Sequence, residues 1–316
     1  MSVAIAYVDC SPLMGDLLAG CGALADGIVV HRGDPTPDAL RRLMQDAQIV
    51  LNGHTAMNAA LLAAAPNLKS IVFLGTGASS YVDMAEAERR GIAVRVVRNY
   101  GDRTIAEHAF GLLLAAARDF ARMDRDIRAG VWAAREGIEL HGKTLGIVGT
   151  GPIGAQMVRI AAGFGMRVVA WNRSGVDPAL PCEALELDRL LAGADAVSVH
   201  LALTPATRGF FDAARIRRLK RGVLLVNVAR GALFDEAALL DALADGHIGH
   251  AALDVFATEP LPADHPLAAL RNVTLSAHAA WKSREASLRL LLEGLTLARA
   301  DAERLGAAPD AGDAAF

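Results

Sequence analysis

The chain has 316 residues with a formal net charge of -3, and 53% of its residues are hydrophobic. This length predicts two globular domains, and the lack of a basic surplus argues against nucleic acid as a partner. The first residues lack the charged region of a signal peptide, and every apolar stretch is too short for a membrane span, so we expect a cytoplasmic protein that does not bind a membrane.

Apolar runs alternate with helix signals through the first hundred residues. Thr36 is a candidate N-cap, and Pro66 and Gly91 are candidate stops. The helices expected from such signals are 37–45, 58–65 and 83–90. The strands expected from the apolar runs are 3–8, 28–31, 49–52, 71–74 and 93–97. Strands separated by helices predict a parallel sheet with helices on both faces.

A strong amphipathic pattern follows and predicts one long helix at 104–122. Thr104 and Glu107 have the spacing of a capping box, which favours a start at Thr104. We expect this helix to lead from the first half of the chain into the second.

The alternation of strands and helices resumes after this helix. The predicted strands are 144–148, 167–171, 196–201, 223–228, 250–255 and 273–275. The predicted helices are 155–162, 187–191, a segment within 207–219 that begins as a loop, 235–245 and 283–304. The pattern predicts an α/β protein of two doubly wound parallel-sheet domains, with the last helix packed against the first domain. Ligands of such sheets bind at the carboxyl ends of strands, and a cleft between the halves is the default site.

The loop Gly149-Thr150-Gly151-Pro152-Ile153-Gly154 stands between a predicted strand and a predicted helix. This context is typical of a dinucleotide-binding turn. The first glycine permits the tight turn, the second lets the backbone approach a pyrophosphate, and the third lets the helix pack close to the strand. The helix N-terminus then offers N–H groups and a positive dipole end to the phosphates.

The end of the next strand bears on the choice of dinucleotide. An NAD site usually places an acidic residue there, where it binds the ribose hydroxyls, but this chain has Asn172, Arg173 and Ser174. Asn172 does not repel a 2′-phosphate, and Arg173 and Ser174 can bind one. These residues favour NADP over NAD, with an exposed Arg173 beside an NAD site as the alternative.

Three further strand ends carry polar side chains that could do chemistry. Arg230 follows the strand at 223–228, Glu259 lies shortly after the strand at 250–255, and His278 follows the last strand. Each signal is weak alone, but together they place an acid–base pair and an anion-binding guanidinium beside a nucleotide loop.

With these motifs in place, the sequence resembles the D-isomer-specific 2-hydroxyacid dehydrogenases over residues 49–285. The matching motifs are Ala106-Glu107-His108, the glycine loop, residues 200–208, Val226-Asn227-Val228-Ala229-Arg230-Gly231, Leu253-Asp254-Val255-Phe256 with Glu259-Pro260, and Ala277-His278. The resemblance implies that Arg230, Glu259 and His278 are catalytic and that the backbone at Thr76-Gly77 holds a substrate carboxylate. It also implies a substrate domain of residues 1–99 and 288–316, into which a Rossmann dinucleotide-binding domain of residues 100–287 is inserted. The family further implies a homodimer formed through the cofactor domain and the long helix at 104–122 that leads into it.

The predicted contacts come from the loops at these strand ends. Cofactor contacts are expected from Gly149, Gly151, Pro152, Ile153, Gly154, Asn172, Arg173, Ser174, His200, Leu201, Thr207, Val228, Ala229, Arg230, Asp254, His278 and Ala280. Substrate contacts are expected from Asn52, Thr76, Gly77, Arg230 and His278.

The chemistry of the three catalytic candidates follows from their side chains. A guanidinium can bind the carboxylate and carbonyl of a 2-oxoacid with two parallel hydrogen bonds and polarise the carbonyl. Once a hydride reaches the carbonyl carbon, the oxygen needs a proton, and an imidazolium is a suitable donor near neutral pH. A neighbouring carboxylate favours the imidazolium form and orients the ring. Arg230, His278 and Glu259 match these roles in that order.

The chain departs from the family in three places: Ala202 stands where proline is usual, the loop 75–83 is one residue longer, and Ala279-Ala280-Trp281 follows the histidine. These departures leave the identity of the 2-oxoacid open, with a phosphorylated hydroxyacid as one alternative. A non-catalytic dinucleotide sensor of the corepressor type is another. His108 is expected to be packed or interfacial, and the three cysteines and the other histidines lack metal-site spacing, so no metal is predicted.

Overall fold

A computed structural model describes residues 4–307 of the chain. The described chain divides into two compact units. The first unit contains the residues up to Gly101 together with those from Ser283 onward, and the second unit is Asp102–Lys282. Residue 3, at the start of the first predicted strand, lies outside the described residues.

Strands and α-helices alternate along most of the described chain. The strands are β1 (Ile5–Cys10), β2 (Ile28–Arg32), β3 (Ile49–Asn52), β4 (Ser70–Phe73), β5 (Ala93–Val96), β6 (Thr144–Val148), β7 (Arg167–Trp171), β8 (Glu183–Ala184), β9 (Ala196–Val199), β10 (Val223–Asn227), β11 (Ile248–Leu253) and β12 (Val273–Leu275). The α-helices are α1 (Pro12–Leu18), α2 (Pro37–Asp46), α3 (Ala59–Ala63), α4 (Met84–Arg89), α5 (Asp102–Ala117), α6 (Phe120–Arg128), α7 (Pro152–Gly163), α8 (Leu187–Gly193), α9 (Ala213–Arg218), α10 (Glu236–Ala244), α11 (Pro266–Ala269) and α12 (Arg284–Ala307).

The first unit contains a parallel sheet with the strand order β2-β1-β3-β4-β5. The three inner strands are buried at every position, whereas the edge strands β2 and β5 are partly exposed. Inner strands of a parallel sheet are covered on both faces, which explains their nearly continuous apolar sequence. Helix α12 packs on β3 and β4, which confirms the prediction that the last helix returns to the first domain.

The second unit contains a parallel sheet with the order β12-β11-β10-β9-β6-β7-β8. Alternate strand residues point to opposite faces. Leu145 and Ile147 pack in the cluster that includes α5 and α7, while Val148 packs in the cluster that includes α8, α9 and α10. Helices therefore cover both faces, and the prediction of two doubly wound sheets is confirmed. The strand order reverses at β6, which places a switch point between β6 and β9.

Several predicted helix starts are confirmed by capping hydrogen bonds. The side chains of Thr36, Asn58, Asp83 and Asp235 each accept the backbone N–H of the residue three positions later. Ser11 caps α1 in the same way, with Pro12 at the first helical position, although this helix was not predicted. The same sequence signal was therefore present before α1.

The single helix predicted at 104–122 is wrong. Helix α5 starts at Asp102, so Thr104 is not its N-cap, and the helical path is broken before α6 by Asp119 at a φ of 53°. The backbone N–H of Ile138 donates to the carbonyl of Ala117 at 2.8 Å and occupies an acceptor that a continuing helix would use. Aspartate tolerates the left-handed region better than most residues. A distant segment thus ends this helix.

Within residues 4–307, no helix combines the length and the apolar character that crossing a bilayer demands. The same part of the chain contains no cluster of His, Cys, Asp or Glu side chains arranged to hold a metal ion.

Candidate active site

The polar residues predicted in the second half of the chain meet at one edge of the second sheet. Each follows the carboxyl end of a strand, and neighbouring strands place their loops side by side. In the order of the strands across the sheet, these residues are His278 after β12, Asp254 and Glu259 after β11, Arg230 after β10, His200 after β9, the glycine loop after β6 and Asn172 after β7.

The glycine loop has the close approaches that its glycines permit. Gly149 has a φ of 98°, and a Cβ there would lie 2.8 Å from the carbonyl oxygen of His200. A Cβ on Gly154 would lie 2.0 Å from the carbonyl oxygen of Gly149, so no side chain fits at that position. A Cβ on Gly151, in contrast, would meet nothing within 4 Å.

Gly151 directly precedes α7. This helix begins at Pro152, its N-cap Gly151 supplies no side-chain hydrogen bond, and Ile153 is half-buried in its first turn. The first N–H groups of a helix lack partners within the helix and carry the positive end of its dipole. The loop therefore fits a dinucleotide pyrophosphate, which can approach the bare backbone of Gly151.

Asn172 links the end of β7 to the glycine loop. Its Oδ1 accepts the backbone N–H of Thr150 at 3.3 Å, and its Nδ2 donates to Ser174 Oγ at 2.9 Å and to the carbonyl of Gly175 at 3.0 Å. Arg173 is exposed and makes no hydrogen bond or ion pair with any described residue. The Asn172 amide thus shapes the loop, whereas the Arg173 guanidinium is available to a ligand.

The loop after β9 contains a buried imidazole. Nε2 of His200 lies 2.8 Å from Ser198 Oγ, while its Nδ1 is buried without a hydrogen-bond partner in the described chain. Burial lowers the pKa of His200 to about 4, so the ring is neutral at physiological pH. Thr207 Oγ1 donates to the carbonyl of Ala202 and accepts the N–H of Thr204, which closes the loop that begins at the half-buried Leu201.

A buried amide shapes the turn that carries Arg230. Oδ1 of Asn227 accepts the N–H of Ala229 at 3.0 Å, and its Nδ2 donates to the carbonyl of Arg230 at 3.0 Å. Val228 is buried, whereas Arg230 is exposed, and its Nη1 donates to the carbonyl of Ala229. A Cβ on Gly231 would lie 2.0 Å from the Phe256 carbonyl carbon, so this glycine lets the Arg230 turn touch the segment that leads to Glu259.

His278 and Glu259 form a hydrogen-bonded pair. Nδ1 of His278 lies 2.6 Å from Oε2 of Glu259, and Oε1 of Glu259 accepts the N–H of Phe256 at 2.9 Å. Each side chain is about one-third to two-fifths exposed, at 41% and 34%. Because Nδ1 faces the carboxylate, Nε2 of His278 is the nitrogen left to face a ligand.

Asp254 holds the backbone on both sides of His278. Its carbonyl accepts the N–H of His278 at 2.8 Å, and its carboxylate accepts the N–H groups of Ala279 and Ala280, each at 2.9 Å. The side chain is fully buried. Burial raises the pKa of Asp254, but hydrogen bonds from His108, Ser276 and these two amides outweigh that effect and hold the pKa at about 2. Its carboxylate therefore already accepts hydrogen bonds from donors of its own chain.

The first unit has its own set of predicted residues at the carboxyl ends of β3 and β4. Asn52 is buried. Its Nδ2 donates to the carbonyl of Thr55 and its Oδ1 accepts the N–H of Thr55, at 2.9 Å each. Its carbonyl accepts the N–H of Leu74 at 2.8 Å, so the loop of Asn52 lies beside the loop that contains Thr76 and Gly77. The substrate candidates of this unit are therefore neighbours.

Sequence reasoning did not predict the contacts of three residues that organise these loops. Asp9, at the end of β1, is buried and accepts the N–H groups of Gly53, His54 and Thr55. Ser276 and His108 both contact the Asp254 carboxylate. An acidic residue directly after the apolar run of β1 was the available signal for Asp9. No local pattern indicates that His108 reaches Ser276, because 168 positions separate them.

Comparisons with known proteins match this chain to one family. The profile described as "D-isomer specific 2-hydroxyacid dehydrogenase, NAD binding domain" matches residues 110–280. The D-3-phosphoglycerate dehydrogenase of Mycobacterium bovis is 42% identical over 287 residues, which cover 88% of this chain and 54% of that protein. The chain thus spans about half the length of this relative. The glyoxylate reductase of Korarchaeum cryptofilum is 40% identical over 243 residues, covering 74% of this chain and 73% of that protein.

A solved structure, of the pyruvate reductase of Chlamydomonas reinhardtii, superposes with a TM-score of 0.86 at 26% identity and covers 96% of this chain and 97% of that chain. The chain belongs to the D-isomer specific 2-hydroxyacid dehydrogenase family, and its second unit contains the family's nicotinamide dinucleotide-binding domain.

Proposed function

We propose that this member of the D-isomer specific 2-hydroxyacid dehydrogenase family reduces a small 2-oxoacid to a D-2-hydroxyacid with a nicotinamide dinucleotide. The observation that carries the proposal is the 2.6 Å pair of His278 and Glu259. It stands on the same sheet edge as Arg230 and the glycine loop. A protein that only sensed a dinucleotide would not need this acid–base pair.

His278 acts as the proton donor in this proposal. Glu259 is oriented by the N–H of Phe256, so its second oxygen accepts a hydrogen bond from Nδ1 of His278. In its imidazolium form, His278 can protonate the carbonyl oxygen of the substrate through Nε2–H. A bound reduced nicotinamide would supply the hydride to the carbonyl carbon. In the reverse direction, neutral His278 takes the hydroxyl proton.

Arg230 binds the substrate. One of its guanidinium nitrogens is held by the carbonyl of Ala229, which leaves the other N–H groups for a carboxylate and its neighbouring carbonyl. The exposed position makes the guanidinium accessible to a ligand. Asn52, Thr76 and Gly77 are proposed to contribute the remaining substrate contacts.

NADP is the proposed dinucleotide. The side-chain hydrogen bonds of Asn172 go to the glycine loop and to the turn after β7, so the unpartnered guanidinium of Arg173 is the group available to a 2′-phosphate. A charge-assisted hydrogen bond contributes roughly 1.5–3 kcal/mol, or about one to two decades of preference. The test compares kcat/KM for NADPH and NADH in the native protein, in Arg173→Ala and in Arg159→Ala, an exposed arginine on α7. A native preference for NADH, or a preference that Arg173→Ala leaves intact, contradicts this choice.

The proposed substrate carries no phosphate. Segments 52–57 and 74–82, which contain the substrate candidates of the first unit, have neither Lys nor Arg. The charged groups at the first of these loops include the carboxylates of Asp9 and Asp34 around His54. A dianionic phosphate would meet little attraction there. Because the mycobacterial relative is named D-3-phosphoglycerate dehydrogenase, 3-phosphoglycerate belongs among the substrates tested.

A homodimer is proposed through the surface of α6 and the segment after it. Trp132 in this segment is 90% exposed, and Phe120, Ile127 and Val131 are also exposed. Nε of Arg122, Nε of Arg135 and Oδ1 of Asp119 are buried without hydrogen-bond partners among the described residues. Exposed apolar side chains beside unsatisfied polar atoms are typical of a surface that a partner covers. Sedimentation should give a dimer for the native chain and a monomer for Trp132→Asp; a native monomer contradicts the proposal.

The experiment that tests the reaction is a panel of short 2-oxoacids, with 3-phosphoglycerate in the reverse direction, run in parallel with both reduced and both oxidised dinucleotides. We expect consumption of the reduced dinucleotide with glyoxylate, hydroxypyruvate or another short 2-oxoacid. Tight dinucleotide binding without turnover of any compound contradicts the proposal and favours a sensor.

A further inference from the structure

The segment that carries His278 is held in an unfavourable backbone conformation. His278 has a φ of 49°, in the left-handed region that residues with a side chain seldom adopt. Such a conformation persists only when neighbouring contacts hold it. Before His278, the N–H of Ser276 donates to the carbonyl of Leu253 at 2.9 Å. After it, the N–H groups of Ala279 and Ala280 donate to the carboxylate of Asp254.

The orientation of the Asp254 carboxylate therefore decides where the backbone on the far side of His278 lies. Two side chains contact this carboxylate besides the two amides. Ser276 Oγ lies 2.5 Å from Oδ1, and Nε2 of His108, on α5, lies 3.5 Å from the same oxygen. The side chain of Asp254 is fully buried, so water does not replace a lost donor there at low cost.

The hydrogen-bond pattern identifies the donor and the acceptor in each contact of this network. Nε2 of His108 lies 3.0 Å from Ser276 Oγ. The ionised carboxylate can only accept, so the single hydroxyl hydrogen of Ser276 is donated to Asp254. Ser276 Oγ must then accept a hydrogen from His108, which places a hydrogen on Nε2 of that ring. The order of donation is His108 to Ser276 to Asp254.

We propose that His108 is a positioning residue for His278 and acts through Ser276 and Asp254. Its Nε2–H holds the Ser276 hydroxyl in the rotamer that donates to Asp254, and the carboxylate so oriented holds the amides that follow His278. Without that donor, the hydroxyl can rotate away and the carboxylate can tilt, which displaces the imidazole from its place beside Glu259. The role in catalysis rests on the proposed function, whereas the mechanical coupling does not.

The kinetic test compares four variants with the native protein. His108→Leu removes the donor, His108→Gln keeps an N–H donor at a similar reach, Ser276→Ala removes the intermediate hydroxyl, and His141→Leu alters an exposed histidine of the same unit as a control. We expect His108→Leu to lower kcat between about tenfold and a hundredfold, the range for a misplaced catalytic group. Dinucleotide affinity should stay within about twofold, and His108→Gln should recover most of the rate.

The double variant His108→Leu with Ser276→Ala sharpens the test. If both residues act in one network, the double variant should be no slower than the slower single variant. A native kcat in His108→Leu, a His108→Gln variant as slow as His108→Leu, or fully multiplicative losses in the double variant would each overturn the proposal.

A readout without turnover separates this proposal from the proposed reaction. Amide hydrogen exchange at Ala279 and Ala280 reports on their hydrogen bonds to Asp254. We expect exchange at these two amides to be at least about tenfold faster in His108→Leu and in Ser276→Ala than in the native protein or His141→Leu. Unchanged exchange overturns the positioning role, even in an active enzyme. Faster exchange in a protein that turns over no 2-oxoacid supports the coupling while the proposed reaction fails.

Discussion

In both units, a buried aspartate at the carboxyl edge of the sheet binds consecutive backbone N–H groups next to a histidine, but the two histidines differ. In the first, the buried Asp9 accepts three consecutive N–H groups after β3, and His54 in that loop pairs through Nε2 with Asp34 at 2.6 Å. In the second, the buried Asp254 accepts two consecutive N–H groups after β12, and the adjoining His278 pairs through Nδ1 with Glu259 at 2.6 Å.

The difference between the two histidines lies in the second ring nitrogen. Nδ1 of His54 lies 3.5 Å from Oδ2 of Asp9, so both of its nitrogens face carboxylates. Nε2 of His278 has no hydrogen-bond partner among the described residues of its unit and remains open to a ligand. A histidine beside a carboxylate thus becomes a proton donor only where its other nitrogen is unengaged. A buried aspartate can therefore order a loop in either unit, but only the loop of His278 leaves an imidazole nitrogen free for catalysis.

Replacing each histidine by alanine should give the largest difference between the two units. His278→Ala should lower the rate of 2-oxoacid reduction by about two to four orders of magnitude, the usual contribution of a general acid, with dinucleotide binding intact. His54→Ala should change kcat by less than about tenfold, because His54 has no nitrogen to offer a substrate. Equal losses in the two variants, measured as kcat with saturating dinucleotide, contradict the distinction.

The two units should also differ in their response to acid. Burial lowers the pKa of His200 in the second unit from 6.5 to about 4. The unfolded chain binds a proton near pH 6.5 that the folded unit does not, so stability is complete above that pH and declines as the pH falls towards 4. The loss attributable to His200 should be about 3 kcal/mol.

Urea unfolding followed by hydrogen exchange in each unit measures this effect. His200→Gln should make the second unit's stability less dependent on pH between 6.5 and 4. An identical pH dependence in the native protein and in the variant would show that His200 is not buried as a neutral ring.

Replacing Arg230 by lysine tests whether the open edge of the second unit needs a guanidinium. A lysine cannot make two parallel hydrogen bonds to a carboxylate and a carbonyl. We expect kcat/KM to fall by about one to two orders of magnitude in Arg230→Lys, nearly as far as in Arg230→Ala. A lysine variant with native kcat/KM would remove the bidentate contact from the mechanism.

Replacing the carboxylates paired with the two histidines, Glu259 and Asp34, should give the smallest difference between the units. Glu259→Gln keeps an acceptor for Nδ1 of His278 but removes the negative charge that strengthens this hydrogen bond, so kcat for 2-oxoacid reduction should fall by less than about tenfold. Asp34→Asn should leave kcat unchanged, since His54 does not transfer the proton. A loss of equal size in both variants contradicts the assignment of roles.

Sequence alone indicated much of this arrangement, because neighbouring parallel strands must bring their carboxyl ends to one edge. That rule grouped Arg230, Glu259 and His278 with the glycine loop. It did not reveal the break at Asp119, which depends on a hydrogen bond from the distant Ile138. Nor did it reveal the network of His108 and Ser276 with Asp254, because side-chain directions depend on packing between distant segments.

In the proposed reaction, a hydride goes directly to the carbonyl carbon of a 2-oxoacid while the second unit supplies the proton. The most direct test uses a reduced dinucleotide carrying deuterium at the transferable position, followed by analysis of the hydroxyacid. We expect one deuterium at C2 of a D-configured product, formed by the native protein and, at a rate lower by about two to four orders of magnitude, by His278→Ala. A product of L configuration, a product without deuterium at C2, or no product from any 2-oxoacid would contradict this mechanism.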